Sequence, residues 1–485
     1  MATVLLLNSC EFGDINRNPN SPTAAPVNVL LPSAQAELAY GLHGDIAQFT
    51  SLFTQQTGGF ESIYLPVSQY DLTSNLAGRV WESNLYPGAM TDLSVIIRKA
   101  TESNSPHYRG IGRIMMAVAL GQSVDLWNNV PYSEAFRGLD EQRILQPRYE
   151  QGAALYDTVQ TLLTQAITDL QANNSFLSPS RDDLVYTGNR AQWIKAARAL
   201  QARYHNHLSK VNPTTSAQNA LTALQAGTFT SNTDDARIVF GTTQDAASPW
   251  FRFLVSSFGN GIRAGQFFVN LLKSKNDPRL PFFVGQVGNR DPNRTENYIG
   301  NPAGTPEPAA SSIGLYFNRP EAPANFITFI ETKFIEAEAN FRLSNFQAAA
   351  TAHNAAVAAS IDKITNNTFR INDTLIVRQN ATANRAYITA YGSETAGTIT
   401  LEKIFREKYI ALYLEPEVWN DWRRSITPAT PNGIPALTPA ANSQQFTNRQ
   451  FPRRWPYPNS EIQRNAANVQ AQGAASITNR VFWDL

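Results

Sequence analysis

Cysteine is almost absent from this sequence, because the 485 residues contain only Cys10. A single thiol excludes an intrachain disulfide framework and a zinc site built from cysteines. Charge of one sign is also scarce: 40 Lys and Arg face 39 Asp and Glu, for a formal net charge of +1. This balance excludes the overall basic field of a general nucleic-acid or anionic-membrane binder. No stretch after the first residues approaches the roughly 20 apolar residues of a transmembrane helix.

Motifs that carry catalysis are missing as well. The sequence contains no HExxH, and no GxGxxG, GxxxxGK[ST] or GxSxG motif lies in a strand–turn–helix context. His205 and His207 are two positions apart on a predicted helix, so they point to different faces and do not form a metal pair. Acidic pairs such as Glu336 and Glu338 are typical of a solvated surface. We therefore predict a protein without catalytic residues, cofactor or metal.

The one cysteine follows a short apolar run in the opening MATVLLLNSC. This pattern is similar to a bacterial lipobox, in which the cysteine becomes the lipidated first residue after cleavage. Asn8 and the missing basic region depart from that pattern, and an upstream start would supply the missing part. We interpret residues 1–10 as a truncated lipoprotein signal with Cys10 as the lipidation site. The alternative is an ordinary N-terminus with an incidental cysteine.

Apolar residues recur at helical spacing through most of the chain, which predicts a predominantly helical protein. The predicted helices are 30–54, 76–99, 107–122, 153–172, 191–208, 326–342, 346–361 and 398–423. Residues 240–325 differ, because they are rich in Gly, Pro, Asn and aromatics and show no sustained period. We interpret them as long loops with short helices.

One pair of predicted helices resembles a tetratricopeptide repeat. The break at Leu343-Ser344-Asn345 separates two Ala-rich helices, in which small residues permit close antiparallel packing. Ala339, Phe346, Ala350 and Ala356 occupy the positions of the small and aromatic packing residues of that repeat. The sequence therefore predicts an all-α fold, built on tetratricopeptide-like helix pairs with a long irregular excursion.

Several phrases in fixed order resemble the SusD/RagB family of outer-membrane nutrient-binding lipoproteins, and especially its second SusD-like type. They are the opening DINRNPNSPTAAP, SVDLWNNVPYSEAF (123–136), GNRAQWIKAARALQARYHNHL (188–208), ITFIETKFIEAEANFR (327–342), IFREKYIALYLEPEVWNDWRRS (404–425) and FPRRWPYPNSEIQRNAANV (451–469). Asn128-Asn129 departs from the Gly-Asp-type pair often found in the family. The resemblance implies one SusD-like domain over 11–485. Its predicted parts are a helical scaffold at about 30–235 and 326–425, a ligand-side region at about 240–325 and a C-terminal clamp at about 426–485.

The same resemblance implies a function. Family members are tethered to the outer leaflet of the outer membrane by a lipidated cysteine, cap a SusC-like TonB-dependent transporter and capture glycans. We therefore predict a lipid-anchored cell-surface protein that binds oligo- or polysaccharide and delivers it to such a transporter. A peptide ligand, or a scaffold subunit that binds no ligand, are the alternatives, and a hydrolase with unrecognised carboxylates is a further one.

Sugar rings stack on aromatic side chains, while amides and charged groups bind their hydroxyls. Such side chains are expected on loops, and two stretches fit. Residues 55–72 supply Phe60, Tyr64 and Tyr70, and residues 248–263, with 294–302 and 314–326 further on, supply Trp250, Phe251, Asn260, Asn297, Tyr298, Tyr316, Phe317 and Asn318. The alternative for each aromatic is a small core beneath a long loop. For Trp250, which follows Pro249 without clear periodicity, we favour a ligand contact.

Overall fold

The computed structural model of the chain describes residues 25–138, 140, 142–288, 290–473 and 476–485. Cys10 and the predicted signal lie outside the described residues. The helices are α1 Val27–Gly41, α2 Ala47–Phe53, α3 Tyr64–Ser68, α4 Ser74–Val80, α5 Thr91–Glu102, α6 Pro106–Trp127, α7 Gly152–Gln171, α8 Arg190–His207, α9 Pro213–Gln225, α10 Pro249–Leu254, α11 Gln266–Ser274, α12 Leu280–Phe283, α13 Phe329–Arg342, α14 Phe346–Thr365, α15 Ala381–Tyr391, α16 Leu401–Ala411, α17 Glu417–Ser425, α18 Gln444–Thr447, α19 Asn459–Arg464 and α20 Ala466–Gln470. Two π-helical segments, Leu42–Ile46 and Trp81–Met90, continue α1 into α2 and α4 into α5.

Strands are few and short. They are β1 Thr57–Gly59, β2 Ala236–Ile238, β3 Ile262–Ala264, β4 Ala324–Ile327, β5 Phe369–Arg370 and β6 Ile376–Val377. These strands form three antiparallel pairs, β1–β3, β2–β4 and β5–β6, so the described residues contain no central sheet. The all-α prediction is confirmed, and residues 240–325 form the predicted irregular excursion with short helices.

Consecutive helices pack in pairs, as the sequence predicted for residues 327–361. Helices α13 and α14 form a hairpin, and Ala337, Ala339, Ala349 and Ala350 are buried between their neighbours. Helices α6 and α7 pack in the same way. A Cβ at Gly110 would lie 2.7 Å from a Leu170 side-chain atom, so this crossing needs glycine. Small residues therefore set the close packing of the tetratricopeptide-like scaffold.

The predicted single helix over 398–423 is wrong, because the chain divides there into α16 and α17. Pro416 stands at the N-cap of α17, and Leu414 before it has a positive φ of 63°. Proline lacks the N–H that a continuous helix would need and clashes with the preceding turn. The break turns α17 so that Trp419, Trp422 and Arg423 all lie in the core.

A buried network of charges joins α6, α8 and α17. His207 Nε2 lies 2.7 Å from Glu417 Oε1, and its Nδ1 lies 2.8 Å from the Tyr156 hydroxyl, which also donates to Asp125. Burial alone would lower the pKa of His207. The carboxylates of Glu417 and Asp125 outweigh that effect and raise the pKa to about 9. The network therefore holds an imidazolium between two carboxylates in the core.

The C-terminal residues return to the same core. The backbone N–H of Trp455 donates to Leu126 O at 2.7 Å, and Arg453 Nε donates to Asp484 Oδ2 at 2.6 Å. Trp483 is fully buried, and its indole N–H donates to Asp125 Oδ1 at 2.9 Å. In the part of the chain that the structure describes, every helix is too short or too polar to cross a membrane.

Candidate functional site

Pairing of β1 with β3 brings the two predicted ligand stretches together. Thr57 lies opposite Ala264 and Gly59 opposite Ile262, and the Phe60 N–H continues the ladder to Gly261 O at 2.8 Å. Gly59 is required at this point, because a Cβ there would lie 2.0 Å from the carbonyl oxygen of Tyr64. The loop after α2 and the segment after α10 therefore share one surface.

We call Phe60, Phe258, Asn260 and Arg263 the aromatic edge of this surface. The Arg263 guanidinium lies 5.2 Å from the centre of the half-exposed Phe60 ring, and its Nη2 donates to Asn260 Oδ1 at 3.2 Å. Phe258 is 58% exposed, so its ring is accessible from solvent. Partial burial lowers the pKa of Arg263, and the nearby Glu61 carboxylate partly offsets this effect. The edge thus offers a ring, a guanidinium and an amide to solvent.

The other aromatic predicted near the edge, Trp250, lies in the core. It is 2% exposed and packs 6.1 Å from the Phe253 ring. The sequence showed no clear periodicity after Pro249, whereas Pro249 is the first residue of α10 and Ser248 Oγ caps the helix by accepting from Phe251 N at 3.2 Å. Proline suits that first position, so residues 250 and 253 point inward together.

Tyr64 and Tyr70 are buried as well, and each uses its hydroxyl within the core. Tyr64 packs 5.1 Å from the Phe253 ring and donates to Gln48 Oε1 at 3.0 Å. The Tyr70 hydroxyl accepts from Ala440 N at 3.0 Å. Burial raises the pKa of Tyr70 to about 12. Both rings pack in the core beneath the loop that follows α2, and neither ring is accessible to solvent.

The remaining predicted residues are buried or half-buried. Tyr316 and Phe317 are buried against Phe283, with ring centres 6.1 and 6.3 Å apart. Tyr298 is 1% exposed and its hydroxyl donates to Pro292 O, while Asn297 Nδ2 donates to Asp291 O. Phe251 and Asn318 are half-buried. Of the predicted site residues, the structure therefore brings only Phe60 and Asn260 to one exposed edge.

Sequence reasoning missed a groove at the other end of β1–β3. Helix α11 turns Gln266, Asn270 and Ser274 to solvent at i, i+4 and i+8, with the half-buried side chains of Phe267 and Leu271 beside them. We call this cavity of about 680 Å³ the amide groove. It is lined by Gln55, Gln266, Phe267, Asn270, Leu271, Ser274, Asn301, Pro302, Ala303, Thr438, Pro439, Ala441 and Arg449. The sequence feature that could have revealed the groove is the polar i, i+4, i+8 pattern, which lies within the segment interpreted as irregular.

Hydrogen bonds between distant segments hold the walls of the amide groove. Ala441 N donates to Ala303 O at 3.1 Å, and Gln55 Nε2 donates to Thr438 O at 2.5 Å. Asn301 Nδ2 donates to Gly59 O at 3.1 Å, which connects the groove wall to β1 and hence to the aromatic edge. The side-chain amides of Gln55 and Asn301 are occupied by these bonds, whereas the exposed side-chain amides of Gln266 and Asn270 are available to a ligand.

The described residues contain no group of three His, Cys, Asp or Glu side chains placed to hold a metal ion. The arrangement is suited to binding: an open, largely uncharged groove of a size usual for ligand sites, with fixed amides and an exposed aromatic edge nearby. Amide oxygens accept from sugar or peptide donors, and amide nitrogens donate to their acceptors.

A family model settles the relationship of the chain. The model of the second SusD-like type, described as "Starch-binding associating with outer membrane", matches residues 19–458. The chain belongs to this SusD-like family. Among curated proteins, none has a matching sequence.

Solved structures show the same fold for this SusD-like chain. A chitin-binding protein is 22% identical with a TM-score of 0.75, covering 93% of this chain and 100% of its own. A SusD/RagB family protein from Bacteroides thetaiotaomicron is 20% identical with a TM-score of 0.77, over 95% and 99% of the two chains. A SusD homologue from Bacteroides fragilis is 18% identical with a TM-score of 0.72, over 93% and 100%.

Proposed function

We propose that this SusD-like protein is a cell-surface glycan-binding protein that holds oligo- or polysaccharide in the amide groove and along the aromatic edge. The amide groove carries the proposal, because exposed Gln266 and Asn270 amides flank the Phe267 ring on one rigid helix. Sugar hydroxyls pair with the amides while an apolar sugar face lies on the ring. The family description, starch-binding, and the printed name of the chitin-binding relative support a glycan ligand.

The proposal extends to the place of the protein in uptake. Cys10 is its lipid anchor to the outer leaflet of the outer membrane, and a SusC-like TonB-dependent transporter receives the captured glycan. The protein is a binder and not an enzyme, since sequence reasoning finds no catalytic motif and the groove presents amides rather than a carboxylate pair. Its alternatives are a peptide ligand and a scaffold role without ligand.

A panel experiment separates these roles. The purified chain is subjected to affinity electrophoresis in gels that contain starch, soluble chitin derivatives or other polysaccharides, and a peptide mixture is tested by calorimetry. Retardation without released products supports glycan binding. Released reducing ends would point to an enzyme, heat from peptides alone to the peptide alternative, and no interaction with any ligand to the scaffold.

Replacing Gln266 and Asn270 together with alanine is expected to weaken binding of the retarding glycan by roughly ten- to thirtyfold. Each lost hydrogen bond contributes about 1 kcal/mol, and about 1.4 kcal/mol is a factor of ten. Both side chains are exposed, so the melting temperature should hardly change. The matched control replaces Gln218 and Asn219, exposed amides on α9, and should keep full affinity. Equal affinity of the two double variants would remove the amide groove from the proposed site.

Lipidation of Cys10 is expected when the gene is expressed with its upstream sequence in a bacterium that processes lipoproteins. Mass spectrometry of the N-terminal peptide should find a mature chain that begins at Cys10 and carries acyl chains. Cys10→Ser should leave the protein uncleaved and unacylated. An unmodified thiol within an uncleaved N-terminus would contradict the anchor without affecting the glycan proposal.

A further inference from the structure

The loop between α7 and α8 carries an apolar pair that faces solvent. Phe176 is 77% exposed and Leu177 is 42% exposed, and Leu184 further along the loop is 41% exposed. Single exposed apolar side chains are common, but adjacent ones form a contiguous apolar patch, and exposed apolar patches mark sites of protein or membrane contact. Neither the amide groove nor the aromatic edge includes these residues.

The loop is held firmly, so its exposed side chains are fixed in place. Phe176 N donates to Asn104 O at 3.1 Å, and Leu177 N donates to Ser105 Oγ at 3.1 Å. Further along the loop, Ser178 Oγ lies 2.8 Å from Nδ1 of His107 on α6. The backbone of the loop is thus pinned to the turn between α5 and α6, and the Phe176 and Leu177 side chains project from it.

The N-terminal segment joins the folded body at the same end. Ala25, the first described residue, accepts a hydrogen bond from Lys99 Nζ at 2.7 Å, and Lys99 lies in the last turn of α5. That helix ends at Glu102, two residues before Asn104. The distance along the chain from Cys10 to Ala25 is 15 residues, which reach at most about 50 Å when fully extended. A membrane anchor at Cys10 would therefore keep this end of the protein within about 50 Å of the bilayer.

Cationic side chains lie on the segments that adjoin the apolar pair. Arg98 on α5 and Arg181 in the loop are exposed, Lys99 is half-exposed, and the exposed Arg190 at the start of α8 donates from its guanidinium to the carbonyl oxygens of Leu170 and Ala172. The exposed carboxylate at this end is Glu102, whereas Asp182 and Asp183 are engaged by Tyr108 and by Gln35. Because the net charge of the chain is only +1, attraction to an anionic surface has to be local. Apolar side chains that enter the interface, flanked by Arg and Lys, are the usual composition of a peripheral membrane contact.

We propose that the Phe176–Leu177 loop is a membrane-docking element that inserts into an anionic lipid surface. It would fix the orientation of the tethered protein so that the opposite surfaces face the medium. The inference rests on the proposed anchor for its geometry, but not on the identity of the glycan. A lipid surface is favoured over a protein partner because the loop lies where the tether enters the fold.

The experiment exploits the single cysteine. The full chain is coupled through Cys10 to a maleimide phospholipid in vesicles of phosphatidylethanolamine and phosphatidylglycerol, and amide hydrogen exchange is compared with the uncoupled chain. The chemical tether replaces cellular lipidation, so failure of the Cys10 prediction does not affect the result. We expect exchange in 173–185 to slow at least fivefold on the vesicles and the effect to shrink at high salt.

The variant Phe176→Ser/Leu177→Ser should abolish that protection while its glycan affinity stays unchanged. Its matched control, Leu145→Ser/Phe446→Ser, alters two other exposed apolar residues and should keep the protection. Unchanged exchange on vesicles would overturn the proposal, as would equal protection of both variants. Protection that appears only in membranes containing a transporter would assign the loop to a protein partner and would also overturn it.

Discussion

Replacing Trp250 with alanine is expected to lower the free energy of unfolding by about 3–5 kcal/mol and to leave the glycan affinity of the folded protein unchanged. The indole is 2% exposed and packs with Phe253, which in turn supports Tyr64 beneath the loop after α2. Truncating it leaves a cavity that the surrounding rings fill only in part. Chemical denaturation and calorimetry on the same preparation measure the two quantities.

Phe258→Ala is the reciprocal variant. Phe258 lies eight residues further along the chain and is 58% exposed, so its loss should change stability by less than about 0.5 kcal/mol. If a sugar stacks there, affinity should fall by roughly tenfold, the scale of about 1.4 kcal/mol that one aromatic contact contributes. Trp250→Phe keeps most of the packing and should cost much less than alanine. A Trp250→Ala protein of normal stability and reduced affinity would return Trp250 to the ligand site.

Replacing His207 with alanine is expected to destabilise the protein by about 3–5 kcal/mol near neutral pH, because it leaves Glu417 and Asp125 as buried carboxylates without their counter-charge. The loss should depend on pH. The folded pKa of His207, about 9, lies above its ordinary value of 6.5. Its contribution is therefore fully present below about pH 6.5 and is lost as the pH rises through 9. The difference between the folded and the ordinary pKa of His207 corresponds to about 3 kcal/mol of stability.

The contribution of Glu417 to stability depends on pH with the opposite sign. His207 and neighbouring cations hold the pKa of Glu417 well below its usual range against the opposing effect of burial, so its contribution is lost only as the pH falls below about 4.5. The prediction is tested by measuring the free energy of unfolding of the unaltered protein and of His207→Ala between pH 5 and 10. The difference between the two free energies should become smaller as the pH rises toward 10. His205→Ala, a half-buried histidine on the same helix, is the control and should change little. A gap that stays constant with pH would contradict a protonated His207.

Helical spacing was sufficient to predict most of the scaffold, because small and apolar residues at positions such as Ala339 and Ala350 leave a strong local pattern. The pattern failed where one residue changes the backbone. Pro416 divides a predicted long helix, and Pro249 begins a short helix whose start the sequence pattern did not locate. Both prolines lack the N–H, and in the structure both stand at the N-terminus of a helix, Pro416 at α17 and Pro249 at α10.

The candidate site was harder to predict for a different reason. Phe60 and Asn260 were identified as loop residues, but their proximity depends on the β1–β3 pairing, which no local pattern indicates. Gln266 and Asn270 were passed over because α11 has only nine residues and lies among loops. Burial could not be predicted for the aromatics either. Phe258 and Tyr298 both lie in the irregular segment 240–325, and only the tertiary fold exposes Phe258 and buries Tyr298.

The walls of the amide groove have a consequence for the order of folding. Gln55 bonds to Thr438, and Thr57 pairs with Ala264, so the groove closes only after segments separated by hundreds of residues have met. Contacts so distant in sequence form slowly, because the entropy of loop closure must be overcome before they stabilise anything. Local hairpins such as α13–α14 can form early, whereas the ability to bind must be among the last properties to appear. Recovery of ligand binding during refolding should therefore lag behind recovery of helical signal, and a chain that ends before Thr438 would lack one wall of the groove.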